Sequence, residues 1–96
     1  MQPNREMMSP MSTAWPEHMV DARHLFETIA CSLGLNEYDL AGQRAFNKVF
    51  NLEKRLEEAR RHGQITRYVG KDPSTGEVFG YAYKRDDVAR FAKLNA

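Results

Sequence analysis

Six polar residues in one stretch carry the clearest chemistry in this 96-residue sequence. Gln43, Arg44, Asn47, Lys48, Asn51 and Arg55 recur at helical spacing. The carboxamides of Asn and Gln can bond an adenine edge twice, and an Arg guanidinium forks onto guanine. No acidic residue falls between Gln43 and Leu52, so nothing there repels phosphate. Glu53, Glu57 and Glu58 follow, which marks the distal half of the segment as lying outside a groove. The same side chains would equally serve as a solvated helix face, so their meaning depends on what surrounds them.

The charge distribution favours the binding reading. Residues 1–42 hold two cations against six acids, a balance of −4. Residues 43–96 hold twelve cations against seven acids, a balance of +5, so the net +1 averages two unlike parts. Such asymmetry points to an anionic partner for the basic half. Further along, Arg67, Lys71 and Lys84 could touch phosphate, with Arg85 at a strand end, although Asp72 and Glu77 weaken that signal. Tyr68, Phe79, Tyr81 and Tyr83 could stack single-stranded bases, but half of any hairpin must face a core, so packing is the better reading. Arg60, Arg61 and His62 suit the negative end of a helix.

Catalysis finds little support. His18, His24 and His62 are scattered, and Cys31 lies beside an apolar stripe, as a small buried thiol without an activating base. There is no glycine-rich phosphate loop, metal-ligand spacing or carboxylate pair, so neither an enzyme nor a metal or other cofactor is expected. One cysteine allows no internal disulfide, and a reducing cytoplasmic setting is the default. No apolar run approaches the roughly 18 residues of a membrane helix, and no secretory signal is expected.

The elements that must position these residues follow from periodicity. Residues 1–16, with three prolines and four methionines, read as a flexible arm, from which Trp15 lies back on the domain or anchors a partner. The domain spans 17–96. A first helix starts near Glu17 or Met19 and carries Ala22, Leu25, Phe26, Ile29, Ala30 and Leu33 on one stripe. Gly34 stops it, and Asn36 caps a short helix over Glu37–Ala41, interrupted by Gly42. The longest helix runs from Gln43 to His62. Its stripe is Ala45, Val49, Leu52, Leu56 and Ala59, widened by Phe46 and Phe50. Ile65–Val69 and Val78–Tyr83 alternate as two strands about the turn formers of residues 70–76. Asp86 or Asp87 caps a last helix that buries Val88, Phe91 and Ala92.

This arrangement resembles a family. Glu27 through Leu35 is similar to a helix-turn-helix signature, with Ala30 where a small residue lets the helices touch and Gly34 at the turn. Leu52, Leu56, Gly63, Ile65 and Tyr68 resemble the end of a winged-helix recognition helix, and Arg61 through Asp87 looks like the wing-then-helix ending of excisionase-like proteins. Two features depart from the pattern. Gln43 falls near a position that is usually apolar, and the long helix exceeds the usual recognition helix, so either the second helix is split at Gly42 or its far half has another use. The resemblance implies an α+β, mainly helical winged helix-turn-helix with a two-stranded hairpin wing and a C-terminal helix. It implies a regulator of transcription or an accessory factor of a mobile element. Double-stranded DNA is then the partner, with the helix from Gln43 in the major groove and Lys71 on the backbone. A homodimer would join through Leu52, Leu56 and Ala59 or through Trp15. The rival is a protein-interaction module, adapter or inhibitor, on the same scaffold.

Overall fold

The apolar spacing of the long segment brings Val49, Leu52, Leu56 and Ala59 to one face of a helix, and all four are buried. That helix, α3 (Gln43–Arg61), is 19 residues long. In the computed structural model, which describes residues 15–96, it packs on α1 (Leu25–Ser32) and α4 (Arg85–Asn95). Leu25, Ile29 and Ala30 of α1 and Val88 and Ala92 of α4 join it in the core, with Val20 and Tyr83. Between α1 and α3 stands α2 (Glu37–Leu40), a single turn held by reciprocal capping. The Asp39 N–H donates to Asn36 Oδ1 and the Asn36 N–H to Asp39 Oδ2, each at 2.9 Å. Gly42 is the N-cap of α3, so the two helices are split at that glycine. Gly34, at φ 74°, provides the left-handed turn after α1.

Three strands form an antiparallel sheet: β1 (Met19–Asp21), β2 (Tyr68–Lys71) and β3 (Val78–Lys84), in the order β1-β3-β2. The fold class is α+β, with four helices and one sheet among the described residues, but the sheet has a strand more than the hairpin expected from sequence. Met19–Asp21 do not begin the first helix. They pair with Lys84, Tyr83 and Ala82, and Val20 is buried beside Tyr83. Two interactions fix this outcome. The Arg85 N–H donates to His18 O at 2.8 Å, while its guanidinium donates to the carbonyls of Glu17 and Met19. Asp21 is extended and caps a 3-10 turn over Ala22–His24, so helix starts only at Leu25. The added strand also covers one edge of β3, which would otherwise offer unpaired backbone groups.

Other expectations change in detail. Ile65–Arg67 precede β2 rather than forming a strand, and β2 extends through Gly70 to Lys71, with an irregularity between those two. Asp86 and Asp87 do not cap α4. The chain enters that helix directly from β3 at Lys84, and the two acids occupy its first turn, where Asp87 pairs with Arg90 at 3.3 Å. Trp15 lies back on the sheet: its ring centroid is 5.3 Å from that of Phe79, and its Nε1–H donates to Asp21 at 3.1 Å. The rest of the expected arm, residues 1–14, lies outside the described residues.

Candidate nucleic-acid interface

Helix α3 presents the polar residues that the sequence singled out. Gln43, Arg44, Asn47, Lys48, Asn51 and Arg55 are all exposed. Spacings of four, three and four set Arg44, Lys48, Asn51 and Arg55 in one stripe beside the buried face. Arg44 and Lys48 border a hollow of about 470 Å³ lined also by Leu33, Leu35 and Ala45 and by one acid from outside the helix, Asp39. Lys48, Asn51 and Arg55 border a second of about 450 Å³, between α3 and the end of α4. At its far end the stripe turns inward to the protein, since Arg55 Nη1 donates to the Asn95 carbonyl at 3.3 Å.

The start of α3 has an electrostatic character of its own. Its N-cap, Gly42, makes no side-chain hydrogen bond, and its first turn contains no acidic residue. The first-turn N–H groups have no partner within the helix, and the dipole there favours an anion. The opposite end is satisfied within the chain. Arg60 holds Glu57 at 2.8 Å and Arg61 holds Glu58 at 3.9 Å, so these two last-turn cations pair with acids of their own helix.

The remaining expected cations belong to the hairpin and its flanks. Arg67 borders a different hollow, with Phe50, Glu53 and Glu57. Glu53 and Glu57 each lie two residues from Asn51 or Arg55, which turns a side chain by about 200°. Arg67 therefore stands on the other flank of α3, its guanidinium 4.1 Å above the Tyr81 ring. Lys84, at the end of β3, lies 5.9 Å from the Tyr68 ring centroid. Lys71 pairs with Val78 at the opposite end of the hairpin, about 20 Å from Lys84 by strand geometry. Arg85 is spent on residues 17–19. The aromatic residues of the hairpin have partners of their own: Tyr83 is 1% exposed, Phe79 meets Trp15, and cations lie over Tyr81 and Tyr68.

Three side chains depart from expectation. Cys31 is exposed, because α1 turns it away from Ile29 and Ala30. Phe46 and Phe50 do not widen the buried stripe, and each is 45% exposed. With Phe26 they make a ridge of three rings, with centroids 4.9 Å and 6.5 Å apart in succession. Lys54 Nζ lies 5.2 Å from the Phe50 centroid. Beside the ridge, burial pushes the Glu53 carboxyl up, and the neighbouring Glu27 carboxylate adds to the shift. The sequence held a signal for this ridge: both phenylalanines sit at the margin of the apolar stripe, where a helix on so thin a core leaves them uncovered.

Among the described residues, no group of three or more His, Cys, Asp or Glu side chains is placed to hold a metal ion. None of the described helices is long and apolar enough to cross a membrane. In comparisons with known proteins, no family model, curated protein or solved structure matches this chain.

Proposed function

We propose that this chain is a small DNA-binding protein of winged-helix type, acting in transcription regulation or as an accessory factor of a mobile element. One observation carries the reading: the first half of α3 is an exposed, acid-free polar surface at an uncapped helix start. Arg44 and Lys48 neutralise phosphate, or Arg44 forks onto guanine, while Gln43, Asn47 and Asn51 reach base edges. The first-turn N–H groups offer a backbone phosphate a further site. Arg55 has a lesser role because Asn95 already engages it. Lys71, at the loop end of β2, is the one hairpin cation left for the backbone, since Arg67 and Lys84 lie over tyrosine rings.

Titrating labelled duplex at several salt concentrations tests this. Loss of two phosphate contacts in an Arg44→Ala/Lys48→Ala variant lowers the slope of log affinity against log salt by about 2 and weakens binding at least tenfold. A flat salt response of the wild type, or unchanged binding by the variant, sinks the proposal. The second reading, a protein-interaction module, draws its support from the phenylalanine ridge, which no DNA contact requires. Absence of any shift of random duplex at low salt by about 10 µM protein favours it, because even non-specific binding reaches that range.

A further inference from the structure

Positive charge collects at the hollow of about 450 Å³ between α3 and the end of α4. Lys48, Lys54 and Arg55 border it, and no acidic side chain does. We infer that this hollow seats a phosphate group, held by those three cations and the Asn51 carboxamide. Helical spacing builds the site. Lys48, Asn51 and Arg55 fall on one face within about two turns, roughly 10 Å along α3. Lys54 stands at the rim, one turn from Asn51, with its ammonium 5.2 Å from the Phe50 centroid and a flexible stem that lets it turn either way.

The surroundings leave that charge in excess. Among the described residues, none of the three cations forms an ion pair. Glu57 and Glu58, the acids one turn beyond Lys54 and Arg55, are engaged by Arg60 at 2.8 Å and Arg61 at 3.9 Å, and Glu53 lies on the flank with Arg67. The end of α4 takes a share, since the Asn95 carbonyl accepts one Arg55 N–H and a helix C-terminus counts as about half a negative charge. With the main-chain carboxylate at Ala96, that wall offsets about one and a half of the three positive charges. Phosphate suits the remainder better than a carboxylate, because it brings three strong acceptor oxygens. Arg55 retains four of its five N–H donors for them, and its bond to Asn95 holds the guanidinium at the wall of the hollow. A duplex backbone and a small phosphorylated molecule share this chemistry; for the first source the inference rests on the DNA-binding proposal.

Nuclear magnetic resonance of the full chain, titrated with inorganic phosphate at constant ionic strength, tests the inference. The side-chain amides of Asn51 and Asn95 move along a saturating curve with Kd on the order of 1 mM, while that of Asn36, in the cap of α2, stays in place. Lys48→Ala/Arg55→Ala, at exposed positions, weakens phosphate binding about tenfold, and Lys93→Ala, at an exposed cation outside the hollow, leaves it unchanged. Small shifts without saturation, or a double variant that binds as the wild type does, overturn the seat. Amides unmoved by phosphate beside a duplex affinity that still falls steeply with salt overturn the seat alone and leave the DNA-binding proposal standing. Displacement of the phosphate by a short duplex supports the seat and assigns it to a nucleic-acid backbone. A seat that fills with phosphate in a chain without duplex affinity supports it as the site of a small phosphorylated molecule, and sinks the DNA-binding proposal.

Discussion

Replacing Asp21 by asparagine removes a single charge from the point where β1, the 3-10 turn and Trp15 meet. Its carboxylate accepts from the Arg23 N–H at 2.8 Å, from Arg23 Nε and Nη2 at 3.1 Å each, and from Trp15 Nε1 at 3.1 Å. The Arg23 guanidinium is the chief reason that the carboxyl is lowered from 3.8 to about 2, against the opposing effect of burial. Because the folded value lies below the unfolded one, the charged carboxylate stabilises the fold. That contribution is complete above about pH 4 and is lost as pH falls through about 2. A gap of nearly two units corresponds to about 2.5 kcal/mol at full value. The Arg23 side chain is 81% exposed, however, and solvent screening brings the figure nearer 1 kcal/mol. Asparagine keeps the shape and the Oδ1 cap, but its Nδ2 donates where Oδ2 accepts, so the substitution removes the charge together with the hydrogen bonds from Trp15 Nε1 and Arg23 Nη2. At pH 7 the variant melts roughly 4–8 °C below the wild type. Urea unfolding followed by fluorescence of Trp15, the sole tryptophan, between pH 7 and 2 measures the difference directly. The two curves converge between about pH 4 and 2. A difference that persists undiminished at pH 2, or that widens there, refutes the linkage.

Two further substitutions or reagents probe the neighbouring structure. Gly70→Ala sets a Cβ 2.5 Å from Phe79 Cζ and 2.6 Å from Trp15 Cη2, whereas at Gly80 the nearest atoms are 3.9 Å and 4.0 Å away. Gly70→Ala therefore costs about 1–3 kcal/mol and shifts Trp15 emission to the red, while Gly80→Ala leaves that emission unchanged; equal spectra for the two variants would show that Trp15 does not rest on Gly70. Cys31 reacts with Ellman's reagent in the native chain at nearly the rate of the urea-unfolded chain, and a rate about 100-fold slower would return it to a buried position.

Periodicity made the helices legible and left the sheet half hidden. The 4-3-4-3 spacing from Ala45 to Ala59 identifies α3 and its core face, and the Asn36–Asp39 spacing identifies the cap of α2, because both signals are local. β1 is invisible by the same logic. Met19, Val20 and Ala22 fit a helical stripe as well as they fit a strand, and what decides is pairing with Ala82–Lys84, more than sixty residues away. Arg85 illustrates the same limit, since nothing near it in sequence says that its guanidinium will hold Glu17 and Met19. At the candidate interface, helical spacing alone gathers Arg44, Lys48, Asn51 and Arg55. The hairpin's position relative to α3 is tertiary information, and the structure sets Arg67 beside Phe50, Glu53 and Glu57 on the other flank of the helix.

Helix α3 divides into three surfaces, and their angular separation constrains which of its open faces can act together. One face is committed to the core through Val49, Leu52 and Leu56, one carries Arg44 and Lys48, and one carries Phe46 and Phe50. Phe46 and Phe50 each lie two residues from Lys48, which turns a side chain by about 200°, so under the DNA-binding proposal a duplex engaged through Arg44 and Lys48 leaves the ridge facing away. The division is not complete, because Asn47 lies three residues from Phe50, and Lys54 borders the same hollow as Lys48, Asn51 and Arg55. Phe46→Ser/Phe50→Ser therefore leaves the salt slope of duplex binding unchanged, and a slope that falls in that variant would set the phenylalanines at the duplex and refute the division.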